Sequence, residues 1–275
     1  MAAGFLLGLR EGLEAALIVG VTFGVLKRMR RTELAASAWL GVGLAVVVSV
    51  VTAAVLLSIG GTLEGQAEQI FEGLTMLLAA GILTWMILWM GAQGRQIQHG
   101  LEREVEQAVL RRQAGAIFVV TFLAVVREGI ETSLFLSAAA FQDAQAAVVL
   151  GGLAGIALAS ALGWGLYRAT IRLSVRRFFQ VTGFLLILFA AGLFSHAVHE
   201  FVEAGLLPAL VDPLWTTAHI LSEASFAGAM MRTLFGYNAD PTLLEVLAYI
   251  GYFVGVWVAL RFLRSRPPEP ALATG

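Results

Sequence analysis

Apolar residues gather into seven stretches along the chain, and polar segments separate them. The stretches cover approximately residues 3–26, 34–60, 71–92, 115–140, 146–168, 178–200 and 242–262. A helix needs about 20 consecutive apolar residues to cross the hydrocarbon core of a bilayer. The pattern therefore predicts an all-α integral membrane protein with seven transmembrane helices, called spans 1 to 7 below.

The overall composition agrees with this class and argues against others. Only 13% of the 275 residues are charged and 59% are hydrophobic, whereas an average soluble domain has roughly 25% charged residues. A net charge of −1 without an isolated basic stripe argues against nucleic-acid binding. The absence of cysteine excludes disulfides, zinc–thiolate sites and iron–sulfur clusters.

The distribution of basic residues predicts the orientation in the membrane. Fifteen of the 18 lysines and arginines lie in the segments that follow spans 1, 3, 5 and 7. The positive-inside rule places these segments in the cytoplasm, with the N-terminus outside and the C-terminus inside. Ten of the 19 acids then lie on the outer side. They either concentrate cations there or simply reflect the scarcity of lysine and arginine in outer segments.

A short charged motif occurs twice inside the apolar stretches. Arg10-Glu11-Gly12-Leu13-Glu14 in span 1 returns 117 residues later as Arg127-Glu128-Gly129-Ile130-Glu131 in span 4. We therefore predict that spans 1–3 are repeated as spans 4–6. The two copies would have opposite orientation, as in many secondary transporters, whose sites lie near the bilayer midplane.

This organisation predicts a single transmembrane domain over residues 1–264. Repeat 1 covers about 1–92, a cytoplasmic loop about 93–114, repeat 2 about 115–204, and an outer loop about 205–241. Span 7 follows, and residues 265–275 are predicted to be a disordered cytoplasmic tail.

The motif charges predict a cation site inside the helix bundle. Each charge at the bilayer centre costs about 2.5–3.5 kcal/mol, so such residues face the interior and are functional by default. The two glutamates of a motif are three residues apart and share one helix face. If spans 1 and 4 cross closely at Gly12 and Gly129, four carboxylates converge: Glu11, Glu14, Glu128 and Glu131.

Four carboxylates make a site of hard oxygen ligands, suited to Mg²⁺, Ca²⁺, Mn²⁺ or iron. Arg10 and Arg127 balance two of the four negative charges, and the remaining −2 matches a divalent cation. One alternative pairs Arg10 with Glu14 and Arg127 with Glu131, which leaves Glu11 and Glu128 as the ligands. Another treats the motif as ion pairs that only hold the helices together.

Acids and histidines on the outer side are possible cation-entrance residues or supports for the metal ligands. They form three groups: Glu64, Glu68 and Glu72; His196, His199, Glu200 and Glu203; and His219 with Glu223. His196 and His199 have a spacing compatible with metal binding. The competing interpretations are a solvated helix face, interfacial hydrogen bonding and loop packing, respectively.

The doubled motif resembles the REXXE motifs of the oxidase-dependent iron permeases, which include the fungal high-affinity iron permease and bacterial relatives in iron-uptake operons. Segments 221–225, 234–239 and 243–252 are similar to the bacterial branch. The resemblance implies seven spans, iron as the transported substrate, and Glu11, Glu14, Glu128 and Glu131 as essential iron-handling residues. It also implies iron-oxidising or iron-delivering partner proteins outside the membrane.

The sequence therefore predicts a high-affinity iron permease of the cytoplasmic membrane, surrounded by lipid, with no permanent cofactor and no enzymatic activity. It leaves open the choice between ferrous and ferric iron and the oligomeric state. One alternative is a permease for another divalent cation, such as manganese or lead. Another is a membrane di-metal carboxylate oxidase, but such sites use Glu-x-x-His, a spacing that does not occur in this sequence.

Overall fold

The regular structure of the chain is helical. A computed structural model describes residues 1–110, 114–167, 175–222 and 225–265, and these ranges contain no β-strand. A short 3-10 turn, Thr32–Leu34, leads into the second helix. The helices are α1 (Ala2–Arg28), α2 (Ala35–Gly60), α3 (Gln66–Leu110), α4 (Ala114–Gln142), α5 (Gln145–Tyr167), α6 (Val175–Glu203), α7 (Phe226–Phe235) and α8 (Leu243–Ser265).

Several of these helices are long and apolar enough to cross a membrane. Among the described residues there are five such segments: Thr32–Gly60, Gln66–Trp89, Gln145–Gly165, Arg177–Glu203 and Leu243–Phe262. Helices α1 and α4 are 27 and 29 residues long, but each carries the three charges of one motif. Their assignment as the two remaining spans stays a prediction from the sequence.

The cytoplasmic loop predicted over residues 93–114 is mostly helix. Helix α3 continues without interruption to Leu110 and is 45 residues long. Residues 93–110 contain no proline and many Glu, Gln, Arg, Leu and Ala residues, which favour helix. Val105 and Val109 in this extension are buried against Val25 and Leu26 near the end of α1. Burial of these apolar groups stabilises the helical extension.

The outer loop predicted over residues 205–241 contains the additional helix α7. The hydroxyl of Ser225 caps its N-terminus by accepting a hydrogen bond of 3.0 Å from the Gly228 N–H. The helix ends at Gly236, whose φ of +68° favours glycine. Helix α8 extends to Ser265, the first residue of the predicted C-terminal tail. The rest of that tail, 266–275, lies outside the described residues.

Helix pairing follows the internal repeat. Helix α1 packs mainly against α5, α2 mainly against α4, and α3 mainly against α6. If α1 is exchanged with α4 and α2 with α5, the α1–α5 pair becomes the α4–α2 pair. The two strongest pairings are therefore equivalent under the exchange that the sequence repeat suggests.

The motif glycines contact different helices from those expected. A Cβ atom on Gly12 would lie 2.8 Å from Cβ of Ala159 on α5, and one on Gly129 would lie 2.7 Å from Cβ of Ser49 on α2. The close crossing of α1 and α4 at these two glycines, which the sequence analysis took as a condition, is therefore not what the structure shows. Each glycine instead lets a helix that carries no motif approach closely, α5 at Gly12 and α2 at Gly129.

Candidate metal site

Three carboxylates of the two motifs lie together between α1 and α4. Glu11, Glu128 and Glu131 each offer one oxygen, and these oxygens all lie within 4.8 Å of one another. The oxygen ligands of Mg²⁺ or Ca²⁺ lie about 2.0–2.6 Å from the ion, so ligands of one ion are at most about 5 Å apart. The three oxygens are therefore close enough to bind a single cation.

Each of the three clustered glutamates also has a buried oxygen whose hydrogen-bonding capacity is not used. Among the described residues, no hydrogen-bond partner meets Oε2 of Glu11, Oε2 of Glu128 or Oε2 of Glu131. Burying a charged oxygen without such a partner is costly unless an ion compensates it. A cation coordinated by these oxygens would remove this cost, so the donor set fits a metal ion.

Arg10 links the two glutamates of the first motif. Its Nη1 donates a hydrogen bond of 2.5 Å to Oε1 of Glu11 and lies 3.2 Å from Sδ of Met86 on α3. Its Nη2 lies 3.1 Å from Oε1 of Glu14. The Arg10–Glu14 ion pair considered as an alternative is present, but Arg10 contacts Glu11 as well. Arg10 thus partly balances the negative charge of both glutamates.

Arg127 has the corresponding position in the second motif. Its Nε donates a hydrogen bond of 2.9 Å to Oε1 of Glu131 and lies 4.0 Å from Oε1 of Glu128. Its guanidinium carbon is 6.0 Å from the ring centroid of Trp89 on α3. The Arg127–Glu131 pair of the same alternative is therefore also present, yet Glu131 remains in the three-carboxylate cluster. Pairing with arginine does not withdraw this glutamate from the candidate site.

Glu14 is the motif glutamate that lies outside the three-carboxylate cluster. It still interacts electrostatically with Glu128 and Glu131 across the helix interface. The four glutamates and two arginines carry a formal charge of −2. The structure thus brings the six predicted charges into one region and separates Glu14 from the closest three.

Packing behind the motifs holds the glutamates toward each other. The hydroxyl of Ser133 on α4 donates a hydrogen bond of 2.7 Å to the carbonyl oxygen of Ser49 on α2. On the other side, a Cβ atom on Gly8 of α1 would lie 2.3 Å from the Gly152 carbonyl oxygen of α5. These close contacts leave little freedom for either motif helix to rotate.

A second group of polar residues lies where α6 ends. The ring centroids of His196 and His199 are 5.4 Å apart. Nε2 of His199 lies 3.1 Å from Oε1 of Glu203, and Nε2 of His196 lies 3.9 Å from Oε1 of Glu200. The structure therefore brings all four members of this predicted group together as two histidine–glutamate pairs.

Glu245 is a member of this group that the sequence analysis did not single out. Its Oε1 lies 2.9 Å from Nδ1 of His199, and its Oε2 accepts a hydrogen bond of 2.8 Å from Asn238. Thr242 and Glu245 also form a capping box at the start of α8. The Thr-x-x-Glu spacing could have indicated the helix start, but not the contact with a histidine 46 residues earlier.

Both histidines face a cavity of about 430 Å³. Its remaining lining comes from the segment before α7, from α7 itself and from the segment after it: Ala218, Ser222, Arg232, Tyr237, Asn238, Ala239 and Asp240.

The other predicted outer residues have different surroundings. Glu64 is exposed in the turn before α3, whereas Glu68 and Glu72 lie on the first turns of α3 and interact electrostatically with Glu200. His219 is exposed and does not line the cavity, and Glu223 lies outside the described residues. The acidic start of α3 and the histidine pairs of α6 thus belong to one surface of the protein.

Comparison with known proteins identifies relatives along nearly the whole chain. The sequence model of the iron permease FTR1 family matches residues 1–263. The ferrous iron permease EfeU of Escherichia coli O6:K15:H31 (strain 536) is 36% identical over 257 residues, which cover 93% of each chain. The ferrous iron permease EfeU of Yersinia pestis is 33% identical over 264 residues, covering 95% of this chain and 93% of the relative. No solved structure matches the chain significantly.

Proposed function

Because the chain belongs to the FTR1 iron permease family, we propose that it carries ferrous iron inward across the cytoplasmic membrane. It is a multi-pass membrane protein, and its relatives are permeases rather than enzymes. Two relatives that match more than nine-tenths of the chain are named as ferrous iron permeases, which supports Fe²⁺ as the substrate.

The observation that carries this proposal is the cluster of Glu11, Glu128 and Glu131 with its unsatisfied oxygens. Carboxylate oxygens are hard ligands that suit a hydrated divalent cation. The formal charge of −2 on the two motifs balances one Fe²⁺. Ferrous iron bound here would compensate buried charge that the two arginines leave unbalanced.

We further propose that α1 and α4 cross the membrane together with the five apolar segments. The resulting seven spans would form an inverted repeat, with α8 as the seventh span. The equivalence of the α1–α5 and α4–α2 pairings supports this arrangement. The motif charges would then lie at the interface of the two repeats, where transporters of this plan bind their substrates.

The proposed transport cycle begins at the outer acidic surface, whose charge attracts Fe²⁺. The ion then moves to Glu11, Glu128 and Glu131, where carboxylates replace part of its hydration shell. Arg10 and Arg127 keep the empty site from carrying four uncompensated charges. Relative movement of the two repeats exposes the site to the cytoplasm, and the ion leaves.

The proposal can be tested by uptake into proteoliposomes that contain the purified full-length chain. Ferrous iron, kept reduced with ascorbate, is supplied outside, and a trapped iron-chelating dye reports its arrival inside. We expect uptake by the wild type and its loss in Glu11→Gln and Glu128→Gln. Glu104→Gln is the matched control, because Glu104 is exposed on the extension of α3. Ferric iron, supplied separately as its citrate complex, should be taken up much more slowly.

Uptake by the Glu11→Gln and Glu128→Gln variants at the wild-type rate would show that the motif carboxylates do not handle the ion. Faster uptake of ferric than of ferrous iron would overturn the substrate assignment and leave the site assignment intact.

A further inference from the structure

His199 is held in the orientation that a metal ligand requires. Its Nδ1 lies 2.9 Å from the Glu245 carboxylate, which is itself buried and hydrogen-bonded by Asn238 and Thr242. Histidines that bind metals almost always donate one ring N–H to a carboxylate or carbonyl, which leaves the other nitrogen as the ligand. Here that other nitrogen is Nε2, and it lies beside Glu203.

The distance between Nε2 of His199 and Oε1 of Glu203 is 3.1 Å. Two ligands about 2.1 Å from one ion are separated by about 3 Å when the angle at the metal is near 90°. Glu203 is 50% exposed at its side chain, so its carboxylate can adjust to an ion without disturbing packing. These two atoms therefore have the separation of neighbouring ligands.

His196 offers a third ligand from the preceding turn of α6. Its ring centroid is 5.4 Å from that of His199, and its Nε2 is 3.9 Å from the Glu200 carboxylate. Both imidazoles line the 430 Å³ cavity, which has room for an ion with several waters. Rotation of the His196 side chain toward His199 would bring this third ligand to the same ion.

Arg232 lines the same cavity and contributes a positive charge. Four acids surround the same region. Asp240 lines the cavity, and Glu200, Glu203 and Glu245 contact the two histidines. The surroundings remain favourable for a cation.

We propose that His196, His199 and Glu203 form a second metal site, which selects a divalent transition metal before it reaches the motif glutamates. This inference rests on the proposed function, since it assumes that the cavity lies on the uptake path of Fe²⁺. Imidazole suits Fe²⁺, whereas carboxylates alone also suit Mg²⁺ and Ca²⁺. The oxygen ligands of the motif cluster therefore discriminate poorly, and the histidines supply the discrimination.

Metal binding tests the site independently of transport. The full-length chain carrying Glu11→Gln and Glu128→Gln is titrated in detergent with Co²⁺, a spectroscopic substitute for Fe²⁺. We expect about one bound Co²⁺ per chain, with visible absorption bands typical of nitrogen and oxygen ligands. Adding His196→Gln and His199→Gln should abolish the bands, and Glu203→Gln should weaken binding by about tenfold or more.

His99→Gln is the matched control for the histidine variants. Gln69 at the start of α3 donates a hydrogen bond to Oε2 of Glu203. Residue 99 lies 30 positions farther along the same helix, and a rise of 1.5 Å per residue separates the two positions by about 45 Å. The substitution should leave Co²⁺ binding unchanged. Undiminished binding in the folded double-histidine variant, judged by size-exclusion chromatography, would overturn the proposal. Undiminished Co²⁺ binding in each of the variants Glu203→Gln and His199→Gln would also overturn it.

Transport with intact motifs tests the selectivity. In proteoliposomes, His196→Gln with His199→Gln should raise the KM for Fe²⁺ by about tenfold or more and leave kcat near the wild-type value. Millimolar Mg²⁺ should inhibit this variant and spare the wild type. An unchanged KM and unchanged resistance to Mg²⁺ would refute the selective site even if Glu11→Gln abolishes uptake. Conversely, uptake by Glu11→Gln would refute the motif site and leave the Co²⁺ result standing.

Discussion

Arg10 and Arg127 occupy equivalent positions in the two motifs, yet their surroundings differ sharply. The side chain of Arg10 is 2% exposed and that of Arg127 is 54% exposed. Arg10 is enclosed by Glu11, Glu14 and Met86, whereas Arg127 reaches past Glu131 toward the ring of Trp89. The protein therefore covers Arg10 almost completely and leaves about half of Arg127 uncovered.

The orientation predicted from the basic residues indicates toward which side of the membrane each arginine lies. Helix α1 would run inward, which places Arg10 on the outer side of its motif. Helix α4 would run outward, which places Arg127 on the cytoplasmic side. If water rather than lipid meets the uncovered side of Arg127, the motif region would be accessible from the cytoplasm and closed to the outside.

Thiol labelling tests this asymmetry, and the native chain contains no cysteine to produce background. We expect Arg127→Cys to react with a membrane-impermeant maleimide added from the cytoplasmic side, because residue 127 is accessible. Arg10→Cys should react at least about tenfold more slowly from either side, because residue 10 is enclosed. Faster labelling of Arg10→Cys, or labelling of Arg127→Cys only from the outside, would contradict the assignment.

The four motif glutamates should differ in importance for uptake. Glu131→Gln should abolish ferrous uptake as Glu11→Gln does, because both residues belong to the cluster within 4.8 Å. Glu14→Gln should reduce the rate without abolishing it, since Glu14 acts on the site from outside this cluster. Initial rates in proteoliposomes measure the difference, with protein amount normalised by quantitative immunoblot. Equal loss in Glu14→Gln and Glu131→Gln would mean that all four carboxylates coordinate the ion.

The close contact of α1 with α5 should make Gly8 intolerant of a side chain. In Gly8→Ala the new Cβ would lie 2.3 Å from the carbonyl oxygen and 2.9 Å from Cα of Gly152, and backbone atoms cannot rotate away. We expect a loss of about 1–3 kcal/mol in the free energy of unfolding, measured in mixed micelles of mild detergent and dodecyl sulfate. Gly24→Ala is the control on the same helix, because a Cβ there meets nothing within 4 Å. The two variants having equal stability would indicate that the helices are farther apart.

Bound iron should stabilise the fold, because it compensates buried carboxylates that lack hydrogen-bond partners. At a free Fe²⁺ concentration of 100 times Kd, the expected gain is about 2.7 kcal/mol for one site. Thermal unfolding in detergent under anaerobic conditions should show a higher Tm with Fe²⁺, and a chelator should reverse the change. The increase in Tm on adding Fe²⁺ should be smaller in the double variant that carries Glu11→Gln and Glu128→Gln. A Tm increase of the same size in this variant would argue against metal binding at the motifs.

Several features of the site were predictable because they are local in the sequence. Spacing alone placed Glu11 and Glu14 on one helix face. It also raised, as an alternative, the ion pairs of Arg10 with Glu14 and of Arg127 with Glu131, which are present. The family membership was predictable from the doubled motif in the same way. Helical periodicity decides such relationships within one or two turns of a single helix.

Other features depend on which helices pack together. The small size of Gly12 indicated that another helix approaches it, but not that this helix is α5 rather than α4. The extension of α3 beyond residue 92 is stabilised by burial of Val105 and Val109 against α1. A pattern of helix-forming residues cannot reveal that partner.

Hydropathy, charge bias and the repeated motif are properties of the linear chain, and they alone were sufficient for the membrane class, the family and the candidate glutamates. Tertiary packing decided which three carboxylates meet, which arginine is enclosed, and that Glu245 orients His199 from another helix. The physical reason is distance. Coordination and hydrogen bonding act over about 2–4 Å, and contacts at that range between residues far apart in the chain exist only once the helices have packed.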